Sequence, residues 1–330
     1  MATIAIDAMG GDNAPTEIIK GAVDSLQITN SKIILVGKEN TIAAELAKHS
    51  YNISSVEIIN ATEVIATDEA ALSIKQKKDS SLVVGLNLLK EGKADSFISA
   101  GSTGALLAGA TLKIKRLQGI ERPALATLLP GAKGFTLLLD SGANVDSKPT
   151  YLLQFAVLGS IYMKYVQGVK NPAVGLISIG TEKDKGNALT KEVYELLADS
   201  GLNFKGNIEA RDIAQGTVDV AVCDGFAGNI LLKTAEGYSK FIFDTIKKEL
   251  MGSTITKAGA LLSRGAFKNI KKRFDYSEVG GAPFLGLQYL VIKAHGSAKS
   301  KDIVGAVNQA HKFIQNNMIE KIQEGLQSGV

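Results

Sequence analysis

An α/β fold built on a mixed, mostly parallel sheet is predicted by three observations. Short β-branched or Leu-rich runs alternate with segments of helical period, the pattern of strands linked by crossover helices. Glycine- or asparagine-bearing turns follow directly on six of the apolar runs. One pair of runs is joined by only Pro130-Gly131-Ala132-Lys133-Gly134, too short for a crossover helix, so that pair is an antiparallel hairpin and the sheet is mixed.

Taken in order, a strand at Thr3 to Asp7 leads into a helix at Pro15 to Leu26, and Lys32 to Val36 leads into Glu39 to His49. Val56 to Asn60 precedes Ser80 to Glu91, and Ser96 to Ser99 precedes Thr103 to Arg116. The hairpin pairs Ala124 to Leu129 with Phe135 to Asp140. Beyond it come a helix at Pro149 to Tyr165, a strand at Ala173 to Ile179, a helix at Ala188 to Ser200 and a strand at Val218 to Cys223. Pro15 and Pro149 suit first-turn positions, where a missing N–H costs nothing. From Asn229 to about Arg273 the pattern becomes two long helices turning near Gly252-Ser253, a helical hairpin (229–275) inserted in a single domain spanning 1–330. An apolar strand at Tyr289 to Lys293 follows.

Composition narrows the classes of function. With 45% apolar and 21% charged residues over 330 positions, the chain has a globular make-up, and no stretch offers the roughly 20 apolar residues of a membrane-spanning helix. The N-terminus reads straight into a strand with no signal-peptide pattern, and the one cysteine, Cys223, rules out an intrachain disulfide framework; both fit a reducing cytoplasm. His49, His295 and His311 are far apart with no cysteine partners, so no metal site is expected. The net charge of +4 is uneven: Lys257, Arg264, Lys268, Lys271, Lys272 and Arg273 lie in one acid-free stretch, where Ile255, Ala258, Leu261 and Leu262 recur at helical spacing. Such a hairpin suits either a core or dimer contact or an anionic surface.

The polar chemistry resides in the six turns: DAMGGD (Asp7 to Asp12), SAGSTGA (Ser99 to Ala105), DSGAN (Asp140 to Asn144), IGTEKDKGN (Ile179 to Asn187), DGFAGN (Asp224 to Asn229) and KAHG (Lys293 to Gly296). Loops leaving the C-termini of parallel strands line a crevice, and glycine lets backbone N–H groups approach an anion. In SAGSTGA, the N–H groups around Ser99, Gly101 and Gly104 and the hydroxyls of Ser102 and Thr103 form a nest for inorganic phosphate at a helix N-terminus. The turn has neither a Walker sequence nor a GxGxxG fingerprint, so a bound nucleotide is not indicated. Asp7 is placed either to orient a catalytic group or, with Asp12, to hold magnesium; loop shaping is the favoured role for Asp12. Asp224 and Asn229 suit function or helix capping equally. Lys293 and His295 occupy alternate positions, so both side chains leave the strand on one face and can meet one anion. Cys223, inside an apolar strand, is read as inert core.

Segments running nearly end to end carry a closer likeness: IAIDAMGGDNAP, ERPALATLLP, GANVDSKP, LLQFAVLGSIYM, KGNALTKEVYELL, VAVCDGFAGNILLKTAEG, and GGAPFLGL followed by KAHGSAKS. In this order they resemble the PlsX family, the acyl-[acyl-carrier-protein]:phosphate acyltransferases of bacterial phospholipid synthesis. The pattern departs at Ser102, Thr150, Thr181 and Ala210, where the family usually has Asn, Glu, Glu and Gly. The resemblance implies a three-layer α/β/α fold similar to the isocitrate/isopropylmalate dehydrogenase and phosphotransacetylase group, without dinucleotide or other cofactor. It implies a cytoplasmic homodimer, associated peripherally with the membrane, that hands an acyl-phosphate to a membrane glycerol-3-phosphate acyltransferase. The expected partners are acyl carrier protein and inorganic phosphate, with no nucleic acid.

On that reading phosphate in the SAGSTGA nest attacks the thioester directly. Lys185, Lys293 and His295 neutralise phosphate or the tetrahedral oxyanion, oriented by Asp224 or Asp7, while Ser99, Gly101, Ser102, Thr103, Gly104 and Asn229 hold the phosphate. Ile255, Leu261 and Leu262 enter a membrane interface while Arg264, Lys268, Lys271, Lys272 and Arg273 meet lipid headgroups or the carrier protein. Two rivals remain: a phosphotransacetylase acting on acyl-CoA, and a non-catalytic phosphate- or lipid-binding protein.

Overall fold

The computed structural model describes residues 1–274 and 280–327, with backbone only at 271–274 and 327. Along the chain the strands are β1 (Ala2–Asp7), β2 (Ser31–Gly37), β3 (Val56–Asn60), β4 (Ser96–Ser99), β5 (Ala124–Leu125), β6 (Thr127–Gly131), β7 (Gly134–Leu139), β8 (Val174–Ile177), β9 (Phe204–Ile208), β10 (Val220–Val222), β11 (Ala282–Leu285) and β12 (Leu290–Lys293). The helices are α1 (Thr16–Ser25), α2 (Glu39–Leu46), α3 (Ser81–Lys90), α4 (Thr103–Lys113), α5 (Pro149–Tyr165), α6 (Ala188–Ala198), α7 (Ala210–Gln215), α8 (Gly225–Leu250), α9 (Thr254–Leu262), α10 (Arg264–Phe274), α11 (Ser300–Gln315) and α12 (Met318–Gln327).

The strands form two sheets, in the orders β3-β2-β1-β4-β12-β11-β5 and β6-β7-β10-β8-β9. Most pairings are parallel; β11 runs antiparallel to β12 and β5, and β6 to β7. The expected hairpin is therefore present, with Thr127 opposite Leu138 and Gly131 opposite Gly134. The run expected as one strand, Ala124 to Leu129, divides between the sheets: β5 pairs with β11 and β6 with β7, while Ala126 still donates its N–H to Pro283 O at 3.0 Å. One extended segment thus couples the two halves.

Period-two alternation produces the three layers. In β1, Ile4 and Ile6 face the core shared with Ile18 and Ile19 of α1 and Ile303 and Val307 of α11, whereas Ala5 faces Leu82, Leu86 and Leu106 of α3 and α4. In the second sheet, Leu137, Leu139, Val220 and Val222 face Leu152 and Phe155 of α5, while Leu138 and Ala221 face Ile213 of α7 and the base of α8. The α1/α11 and α5 core is continuous across both sheets.

The hairpin begins earlier than expected, at Gly225, and its second arm is broken at Ser263 into α9 and α10. Beyond the first turn of α8, which buries Gly225 and Gly228, Ile230, Tyr238, Phe241, Ile242, Ile255, Leu261 and Leu262 are all exposed, Leu262 at 90%. No helix among the described residues is long and apolar enough to cross a membrane.

Candidate active site

Strand order brings three turns together that are remote in sequence. β1, β4 and β12 are adjacent and parallel, so the turns after Asp7, Ser99 and Lys293 leave the same edge side by side. They are tied by hydrogen bonds: Asp12 N donates to Gly296 O at 2.8 Å, and Asn13 Nδ2 donates to Ser297 O at 3.0 Å. Across a cleft of about 700 Å³ stand Ser141 and Gly142 after β7, together with Asn229, Leu232, Lys233 and Glu236 of α8.

On the near wall, Gly101, Ser102, Thr103 and Gly104 open α4 and line the cleft. Ser102 is the N-cap, its Oγ accepting from Ala105 N at 3.4 Å, so the helix N-terminus faces the cavity. Ser99 is buried behind this wall; its hydroxyl donates to Asp7 Oδ2 at 2.7 Å and accepts from Gly101 N at 3.0 Å. Asp7 also accepts from Met9 N at 3.1 Å. Burial raises the Asp7 carboxyl above its ordinary range, against the opposing hydrogen bonds from Ser81, Ser99 and the backbone of Met9 and Gly10. A Cβ on Gly10 would lie 2.5 Å from Asp7 Oδ2 and 2.8 Å from Gly101 N, so only glycine lets these two turns touch.

Lys293 and His295 both reach the cleft. Lys293 is 9% exposed; its Nζ donates to Ala100 O at 3.3 Å and to Ala294 O. Burial first, and then the neighbouring charge of Lys233, push its ammonium from 10.5 down to about 8, although Asp7 and Asp12 oppose this. A cation so poorly hydrated is poised to gain from an incoming anion. His295 accepts from Ser297 N at its Nδ1, 3.2 Å away, which leaves the proton of the neutral ring on Nε2. That Nε2 lies 3.8 Å from Glu236 Oε2, and Glu236 also pairs with Lys233 at 2.8 Å. Burial pushes the Glu236 carboxyl up, but bonds from His295 and Lys233 outweigh it and hold the group below its ordinary value.

Other candidates fall elsewhere. Asp224 is the N-cap of α8, accepting from Ala227 N at 2.8 Å, and does not line the cleft. With that cap taken, Asn229 lies one turn into the helix, and its side chain faces Gly142 in the cleft wall. Lys185 is exposed in the turn after β8 and is not part of the cleft lining. Cys223 is buried, and burial, followed by the charges of Asp224 and Asp140, pushes its thiol well up, as befits inert core. Ile255, Leu261, Leu262, Arg264 and Lys268 are exposed on the hairpin; the side chains of Lys271, Lys272 and Arg273 lie outside the described residues.

Sequence reasoning missed Lys233 and Glu236. Their signal was helical spacing from Asn229: positions 229, 232, 233 and 236 share one face, and the cleft is on that side. It also missed the office of Asp140, whose buried carboxylate accepts from the N–H groups of Leu125, Gly142, Ala143 and Asn144 and from Asn144 Nδ2, so shaping the far wall. Gly228 lets the first turn of α8 pack against the Asp140 carbonyl, with which a Cβ would collide. Among the described residues no cluster of three or more His, Cys, Asp or Glu side chains could hold a metal ion.

On this two-sheet α/β/α framework a helix N-terminus, a buried lysine and a histidine converge on one cleft. Fold alone does not select the reaction. A phosphotransacetylase from Streptococcus pyogenes superposes with a TM-score of 0.62 at 19% identity, covering 95% of this chain and 94% of that one. A 4-hydroxythreonine-4-phosphate dehydrogenase from Klebsiella pneumoniae does so at 0.55 and 13%, covering 94% and 98%. Sequence is decisive: residues 2–321 match the family described as fatty acid synthesis protein, and a phosphate acyltransferase of Clostridium acetobutylicum is 52% identical over 326 residues, 98% of each chain. The chain belongs to this phosphate acyltransferase (PlsX) family.

Proposed function

We propose that the protein transfers a long-chain acyl group from the thioester of acyl carrier protein to inorganic phosphate, giving the acyl-phosphate used in phospholipid synthesis. The observation that carries this reading is the convergence of the α4 N-terminus, Lys293 and His295 on one cleft. Phosphate binds at Gly101 to Gly104 with its charge offset by Lys293. One phosphate oxygen attacks the thioester carbonyl carbon; the tetrahedral oxyanion accepts hydrogen bonds from His295 Nε2–H and Lys293. The C–S bond then breaks, the carrier leaves as its thiolate, and the P–O bonds stay intact. Phosphate is already a nucleophile at neutral pH, so positioning and charge neutralisation supply most of the acceleration.

Asp7, hydrogen-bonded through Ser99 to Gly101 N, is a positioning residue for the phosphate loop. Asp224 acts through the α8 cap, and Lys185 stands outside the cleft of a single chain. The exposed apolar stripe of α8 suits a second copy of the chain in a homodimer, and Ile255, Leu261 and Leu262 at the hairpin tip suit a peripheral place on the cytoplasmic membrane surface, close to a membrane acyltransferase that takes the product. The test is hydroxylamine trapping of acyl-phosphate from palmitoyl-acyl carrier protein and phosphate. Hydroxamate formed only with phosphate supports the reading; faster turnover of palmitoyl-CoA would favour a phosphotransacetylase, and ligand binding without hydroxamate a non-catalytic protein.

A further inference from the structure

The cleft does not end at Glu236. Lys233, Glu236, His295 and Asp302 also line the start of a second groove of about 1110 Å³, which runs between α8 and the α9–α10 arm. The face of α8 turned to this groove carries Lys233, Lys240 and Lys247 at seven-residue spacing, and Phe243 and Leu250 beside them are half-buried. Arg264 and Phe267 of α10 close the opposite side. The groove thus has an apolar floor and a cationic rim. Lys233 is paired with Glu236, whereas Lys240, Lys247 and Arg264 form no ion pair among the described residues, so with Asp244 nearby the far end keeps a net positive charge. On α8 the exposed Tyr238 and Ile242 lie roughly opposite Lys240 and Lys247, while Ile230 and Phe241 flank the groove face.

From Lys233 to Lys247 the helix advances about 21 Å at 1.5 Å per residue. An occupant must therefore be long, amphipathic, anionic at its outer end and reactive at its inner end beside Lys293 and His295. A fatty chain is long enough, but it is neither amphipathic nor anionic at its far end, so it would leave the distal cations without a partner. We propose that the groove seats the flexible phosphopantetheine-type arm that carries the thioester, with the arm's phosphate between Lys247 and Arg264. This inference rests on the acyl-transfer reading and adds where and how the donor is recognised: through the charge on the arm.

The test compares Lys247→Glu/Arg264→Glu with the unaltered protein, using one acyl group on three donors: acyl carrier protein, free phosphopantetheine, and N-acetylcysteamine, which lacks the phosphate. The expected result is a fall in kcat/KM of about tenfold for both phosphate-bearing donors, from the loss and reversal of two partly exposed charges. Turnover of the N-acetylcysteamine thioester is unchanged, which also shows that the variant is folded. A loss confined to the carrier-protein donor would place the contact on the carrier's surface and overturn the arm assignment. Equal loss on all three donors, or on none, would overturn it as well. If the unaltered protein makes no acyl-phosphate from any donor, the acyl-transfer reading itself falls, and that outcome is separate from the others.

Discussion

Replacing Lys293 with methionine should stabilise the protein while nearly abolishing turnover. The ammonium is buried at the edge of β12 and held at about 8 rather than 10.5. Keeping it charged at neutral pH therefore costs about 3 kcal/mol. Methionine removes that cost and has a similar length, although Ala100 O and Ala294 O lose a donor, at about 1 kcal/mol apiece. The net expectation is a gain on the order of 1 kcal/mol at pH 7. The sign follows from linkage. Between about 8 and 10.5 the unfolded chain binds the proton that the folded chain has lost, so the unaltered protein gains stability as pH rises through this window. The advantage of Lys293→Met is thus greatest below pH 8 and shrinks above it. Catalysis moves oppositely: losing a charged donor to the oxyanion and the phosphate costs about 2.7 to 4 kcal/mol, or 10²- to 10³-fold in rate. Urea unfolding at pH 7 and pH 10, with kcat/KM for phosphate, reads both effects. A variant that is less stable at pH 7 yet keeps near-normal turnover would refute the reasoning.

Gly10→Ala should lower turnover at least about 100-fold with the fold retained, because a Cβ 2.8 Å from Gly101 N displaces the phosphate loop from Asp7; circular dichroism with the activity assay checks this. Asp224→Ala should cost about 1 kcal/mol through loss of the α8 cap, and Asp224→Ser should restore stability and activity together, an outcome that a catalytic carboxylate would not give. Leu261→Glu should abolish sedimentation with anionic liposomes yet spare turnover of soluble donor, since Leu261 is exposed far along the hairpin; joint loss would assign the residue to the fold or the dimer. Activity should fall as pH rises through the Lys293 transition, and that transition should move upward when phosphate is bound, because an adjacent anion favours the ammonium; the pH profile of phosphate-dependent protection against heat unfolding reads this.

Much of this architecture was legible because strands and turns are written locally. Gly10, Gly101 and Gly142, two or three residues after Asp7, Ser99 and Asp140, marked loops at strand ends, and the short link at Gly131 to Gly134 marked the hairpin. What local pattern does not carry is strand order. The turns after β1, β4 and β12 meet because those strands are neighbours, while the turn bearing Lys185 follows β8, which stands beyond β10 from the cleft. The same limit hid the split of Ala124 to Leu129 between sheets, a matter of which partner each half finds. β9 escaped notice because Phe204–Ile208 contains Gly206 at φ +89, and β11 because it contains Pro283. Lys233 and Glu236 have the i, i+3 spacing that any solvated helix pair shares; only the packing of α8 against the end of β7 shows that their face lines the cleft.

The central claim is that phosphate in the cleft attacks the donor thioester without an acyl-enzyme stage. With protein in excess over palmitoyl-acyl carrier protein, free carrier thiol should appear only when phosphate is present, in step with hydroxylamine-trapped acyl-phosphate, and Lys293→Met should abolish both. Stoichiometric thiol release without phosphate would reveal an acylated or hydrolysing protein and contradict the account.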